Sequence, residues 1–224
     1  MVVYQILSPK KRTSFFERLS LTTWIIIANV FLFIVFSLLV GYGILGWDSI
    51  ALKPSNVFLG KYLWTFITSM FMHAGFFHIF VNMLSLFFVG SLLEKILGKR
   101  RYFWFYVFSG VFAGVIFVLA SQIFPSDFNT YAVGASGAIF GLIGVLMFLT
   151  PNLPVYLMFI PIPIKMKYAA PGMLVVLWLI SIGGDVPIGN TAHLGGFIAG
   201  LIYGFFLKRK YPNKVGMISK RFSR

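Results

Sequence analysis

Cysteine is absent from this 224-residue chain, which excludes disulfide staples and thiolate metal sites and leaves no hint of the redox compartment. Acidic residues are nearly as scarce, with five Asp and Glu against 19 Lys and Arg, and charged residues make up only 11% of the chain. Soluble globular domains carry roughly 25%, so this chain cannot clothe a water-facing surface. An ordinary soluble enzyme or binding module is excluded. What is present is apolar: 59% of residues are hydrophobic and the mean hydropathy is +0.90. Lipid demands long uncharged runs whose backbone is satisfied internally, which points to an all-α polytopic membrane protein.

Six runs free of Asp, Glu, Lys and Arg answer that demand: 24–45, 76–93, 102–124, 132–150, 168–184 and 192–207. They predict a six-transmembrane-helix bundle. The last run is the shortest; at about 1.5 Å per residue it falls short of a hydrocarbon layer of roughly 30 Å. All basic residues except Lys53 and Lys61 cluster before the first run, between the second and third, between the fourth and fifth, or after the sixth. The positive-inside rule then places both termini in the cytoplasm. Basic residues that rim helix ends suit anionic headgroups rather than a nucleic-acid reading surface, so no nucleic-acid partner is expected. The expected organisation is a cytoplasmic segment over 1–23, a membrane domain over 24–207 and a basic tail over 208–224. The first run has transmembrane length and no Ala-x-Ala-like site after it, so it is expected to stay as an anchor. The outer loop 46–75, rich in aromatics, should lie in the interface. The stretch 151–167, with four prolines, should be a connector along the inner face.

Polar side chains inside such runs are functional candidates by default. With cytoplasmic termini, the second, fourth and sixth runs descend from the outside. Counted from their inner ends, Asn82, Ser136 and His193 stand roughly 22–26 Å above the inner edge, in one layer, with His78 a turn above Asn82 on the same face. A serine hydroxyl becomes nucleophilic when a neutral imidazole takes its proton. Ser136 with His193 therefore predicts acyl transfer. His78, Asn82 and the backbone N–H groups around Ala135, at a helix start, would face the oxyanion. No Asp or Glu lies in that layer, so the expectation is a Ser–His dyad rather than a triad. Gly134 and Gly137 let the backbone approach closely beside Ser136. Small residues on the fourth run, and Gly196 with Gly200 on the sixth, would let two helices meet. Phe140, one turn below Ser136, would pack under His193. Glu94 reads as a solvated helix-end charge beside Lys95, and His73 as structural or interfacial.

The motifs His73-x4-His78-x3-Asn82, Gly134-Ala135-Ser136-Gly137 and Ala192-His193-Leu194-Gly195-Gly196 with Gly200 occur in order on their runs, and over about 60–205 the chain resembles the rhomboid family of intramembrane proteases. The resemblance implies hydrolysis of peptide bonds in or near transmembrane segments of membrane-protein substrates, with no cofactor and no metal. It assigns Ser136 as nucleophile, His193 as base and acid, and His78, Asn82 and backbone N–H as oxyanion donors. Two departures stand out. Phe140 replaces a tyrosine common in the family, and Trp64-Thr65 replaces a common Trp-Arg pair.

Two other classes compete: a proteolytically inactive rhomboid-like binding or quality-control protein, and a small transporter or channel using His78, Asn82 and His193. The expected setting is a multi-pass protein of a prokaryotic cell membrane with its site opening outward. The segment before Ser136 is expected to dip inward. The fifth run, with the loop 183–189, is expected to act as a lid.

Overall fold

The computed structural model describes residues 19–157, 161–184 and 188–222. It is a helical assembly: α1 Leu21–Gly41, α2 Phe76–Leu97, α3 Lys99–Ala120, α4 Ser136–Leu149, α5 Met166–Gly184, α6 Asn190–Lys210 and α7 Pro212–Arg221. Five of these (α1, α2, α3, α5 and α6) are long and apolar enough to cross a membrane, and α4 is a shorter apolar helix of 14 residues. The short member is therefore the fourth helix, not the last. The expectation of a foreshortened sixth span is corrected, because Asn190 and Thr191 at its start and Lys208, Arg209 and Lys210 at its end extend α6 to 21 residues. Most of the expected N-terminal segment 1–23, and part of the lid loop 183–189, lie outside the described residues. The basic tail carries the helix α7.

α4 is the centre of the molecule. From Gly137 to Leu146 every residue is buried, while large apolar side chains on the outer helices (Phe31, Trp104, Leu179, Ile202) are exposed. That arrangement suits a lipid surround. α4 packs mainly on α6 and α3, and glycine is what brings it so close to α6. A Cβ at Gly144 would stand 2.5 Å from the Phe197 carbonyl oxygen, and one at Gly200 would stand 2.8 Å from the Gly144 Cα. The two backbones touch.

The loop 46–75 folds into short turns of helix, including Pro54–Phe58 and Thr65–Thr68, rather than a separate domain. It is bonded without the arginine that Thr65 replaces. Trp64 Nε1 donates to Ser49 O (2.8 Å), and Thr68 Oγ1 donates to Ile50 O (2.8 Å). Asn56 and Tyr131 both donate to Asp48 Oδ1, and these hydrogen bonds hold its carboxyl below the usual range. Leu52 and Ala132 exchange backbone hydrogen bonds, so the loop grips the segment that leads into α4. The 151–167 connector contains a minimal antiparallel hairpin, Pro154–Val155 against Ile164–Lys165.

Glu94 corrects a reading. It is 7% exposed and accepts from Leu21 N (2.9 Å), Thr22 N (2.8 Å) and Thr22 Oγ1 (2.7 Å). The first N–H groups of α1 have no intrahelical acceptor, and a carboxylate at the positive end of a helix satisfies them. Glu94→Ala strands these donors and is expected to destabilise the protein by about 2 kcal/mol or more. The unfolding midpoint in detergent measures this, and an unchanged midpoint rejects the capping role.

Candidate active site

Ser136 is the first residue of α4, and its place depends on what precedes it. Gly134 has φ +114°, a conformation that side chains rarely adopt, and its N–H donates to Ser69 O (2.8 Å). The left-handed turn breaks the extended approach at Ala132 and launches the helix at Ser136. A Cβ at Gly134 would also strike the His78 ring, 2.9 Å from Cε1. The close approach anticipated at this glycine is thus present, and its neighbour is an imidazole. Upstream, Thr191 Oγ1 donates to Asp127 Oδ2 (3.3 Å) and joins the same segment to the start of α6. Burial raises the Asp127 carboxyl above its ordinary range.

His193 sits on the second turn of α6, 6% exposed, with Nε2 2.8 Å from Ser136 Oγ. Among the described residues its Nδ1 has no hydrogen-bond partner, and no carboxylate orients the ring. Phe140 does so instead, stacked on the imidazole with centroids 4.7 Å apart and planes at 28°. The phenyl ring fixes the plane without offering a hydrogen bond.

His78 lies on the first turn of α2. The Ala74 N–H donates to its Nδ1 (3.2 Å), which marks Nδ1 as an acceptor and places the proton of the neutral ring on Nε2. His78 Nε2 is the atom that would stand 3.0 Å from a Cβ on Gly134, so a donor faces the turn before Ser136. His73 is 1% exposed and meets His78 edge-on at 5.2 Å. It backs the His78 ring, as a structural residue would.

The structure thus brings Ser136, His193, Phe140, Gly134 and His78 into one cluster. Ala135, fully buried, occupies the N-cap of α4, whose first-turn N–H groups have no intrahelical acceptor. Gly137, Gly196 and Gly200 form the α4–α6 seam; a Cβ on Gly196 would collide with the Gly137 carbonyl oxygen. Asn82 stands apart. It is 4% exposed and its Nδ2 donates to His78 O (2.9 Å); among the described residues it bonds neither Ser136 nor His193. Sequence reasoning missed Ala74, Ser69 and Asp127, which act through backbone groups or distant partners.

These features define a class: a polytopic helical protein with a serine and a histidine hydrogen-bonded across two tightly packed helices. Residues 60–210 match the Rhomboid domain, and the chain belongs to the rhomboid family. It is 38% identical over 162 residues to RHOMBOID-like protein 1 of Arabidopsis thaliana, covering 69% of this chain and 37% of that one. It is 34% identical over 136 residues to YdcA of Bacillus subtilis (strain 168), named as a candidate rhomboid protease, covering 61% of this chain and 65% of that one. Rhomboid protein 1, mitochondrial, of Saccharomyces cerevisiae is 28% identical over 151 residues, covering 64% and 41%. The chain spans less than half the length of most of the curated relatives it matches. Relatives from a plant, a yeast and a bacterium share the match, so the expectation of a prokaryotic membrane draws no support from them.

Proposed function

We propose that this protein is an intramembrane serine endopeptidase that hydrolyses peptide bonds in or near transmembrane segments of other membrane proteins. One observation carries the reading: the 2.8 Å contact between Ser136 Oγ and His193 Nε2, at the buried meeting of α4 and α6. In the proposed reaction the Ser136 hydroxyl gives its proton to His193 Nε2 as Oγ bonds to the scissile carbonyl carbon. The carbonyl oxygen becomes an oxyanion facing His78 Nε2–H and the first-turn N–H groups of α4. His193 then returns the proton to the departing amine, and the acyl group stays on Ser136. Water repeats the sequence: His193 takes its proton, the hydroxide oxygen bonds to the acyl carbon, and the proton ends on Ser136 Oγ. Asn82 enters as support for the His78 carbonyl and the turn that carries the imidazole.

The basic ends of α3, α6 and α7 favour cytoplasmic termini for the 24–207 membrane domain, so the site, at the other end of α4 and α6, opens outward. Water and substrate would enter beside α5. Its only buried residues, Met166, Ala169 and Ala170, lie before Pro171, and beyond it Val175, Val176, Leu179 and Ile182 are exposed. Proline removes one helix hydrogen bond and supplies a bending point.

The transporter reading draws nothing from the site. The one carboxylate inside a described span, Glu94, is engaged in capping α1. The test is covalent. A fluorophosphonate should label the purified full chain at Ser136, and the same preparation should cleave a fluorescent transmembrane substrate. Labelling without cleavage would leave an activated serine with a different substrate; neither signal would favour an inactive relative.

A further inference from the structure

Between α3 and α6, on the side away from the dyad, runs an open groove of about 820 Å³. Phe105 and Ala199 form its buried floor, and Trp104, Phe108, Ile202 and Phe206 form exposed walls. Arg100 and Arg101 stand at one end and Phe112 toward the other. From Arg101 to Phe112 is about 16 Å along the helix, the depth of one leaflet of a hydrocarbon core of roughly 30 Å.

The basic end is crowded with like charge. Arg101 Nη2 donates to Tyr211 Oη (3.2 Å), and its guanidinium lies 5.3 Å from the centre of that ring. Lys210 and Lys214 place their ammonium groups 5.8 and 5.9 Å from the same centre. Three cations therefore converge on one tyrosine, with Arg100 beside them. No carboxylate among the described residues is salt-bridged to any of them: the one ion pair found is Lys53 with Asp48 in the outer loop, and Glu94 is turned into the start of α1. An anion with an apolar body long enough to fill the groove would relieve the mutual repulsion here.

We infer that this groove holds one anionic glycerophospholipid, its phosphate on Arg100 and Arg101 and one acyl chain along Trp104, Phe108 and Ile202. The site is distinct from the Ser136–His193 pair and independent of any activity, so its test is read by mass. The purified full chain in neutral detergent is titrated with phosphatidylglycerol and phosphatidylcholine under native mass spectrometry. One phosphatidylglycerol should bind in preference to phosphatidylcholine by about 25-fold, at about fivefold per arginine near the headgroup. Arg100→Gln with Arg101→Gln should erase that preference, and the paired Lys substitutions should restore most of it. Ile202→Trp, which keeps the charge and narrows the groove, should weaken both lipids and covers the case in which the Gln variant fails to fold. Equal binding of the two lipids would overturn the inference. So would an unaffected Gln variant, or displacement of the lipid by inorganic phosphate alone at matching concentration. A mass of two chains with no lipid would give the groove to a second copy.

Discussion

Ser136→Ala and His193→Ala are each expected to lower substrate cleavage by at least about 10³-fold, and the double variant by no more than either alone. The non-additivity follows from the proposed chemistry. Without the imidazole the hydroxyl keeps its proton and attacks poorly; without the hydroxyl the imidazole has nothing to activate. His78→Ala should act differently. It leaves the 2.8 Å Ser136–His193 contact in place and removes one donor aimed at the turn before Ser136. A loss of about 10²-fold in kcat with little change in KM is expected, the size seen when one oxyanion donor is deleted. Steady-state cleavage in detergent with matched protein amounts measures all four. Retained cleavage by the alanine variant of Ser136 would remove the nucleophile from the scheme. A His78 effect confined to KM would make that residue a binding contact.

Charge runs and depth counting reached most of this architecture because a membrane leaves few choices. Uncharged stretches must be helices, and polar groups within them must meet. That is why Ser136 and His193, 57 positions apart, could be paired from their distance to the inner edge alone. Where the sequence misled, the partner was distant or the polarity local. Asn190 and Thr191 look like loop but form the first turn of α6, since Thr191 finds Asp127 across a gap of 64 positions. Glu94, followed at once by Lys95, resembles a solvated charge, yet its partners are backbone N–H groups 72 and 73 positions away. Backbone donors carry no sequence signature. Asn82 shows the converse: it occupies the motif position, but its amide is spent on the carbonyl one turn back. Phe140 was legible because a ring one turn below Ser136 lies on the helix face that meets His193, on which it stacks.

The seam between α4 and α6 yields the second large effect. A Cβ on Gly196 would overlap the Gly137 carbonyl oxygen, and one on Gly200 would overlap the Gly141 carbonyl oxygen while standing 2.9 Å from Val145 N. Backbone cannot rotate out of the way as a side chain can, so the helices must part. Overpacking of this kind destabilises by about 1–3 kcal/mol per site, and Gly196→Ala should lower the unfolding midpoint accordingly. The functional loss should be larger than the stability loss suggests. Gly196 lies three residues, just under one helical turn, beyond His193, so a shift of about 1 Å there stretches the Ser136–His193 contact out of hydrogen-bond range, and misplacement of that size costs about 10²-fold in rate. Gly216→Ala on α7 is the control, because a Cβ there meets nothing within 4 Å; its midpoint should not fall and its labelling should match the parent. Fluorophosphonate labelling rates, measured well below each midpoint, separate a displaced dyad from an unfolded one. If Gly196→Ala labels as fast as the parent, the bond does not depend on the close seam, and the two helices have a freedom that backbone contact should deny them.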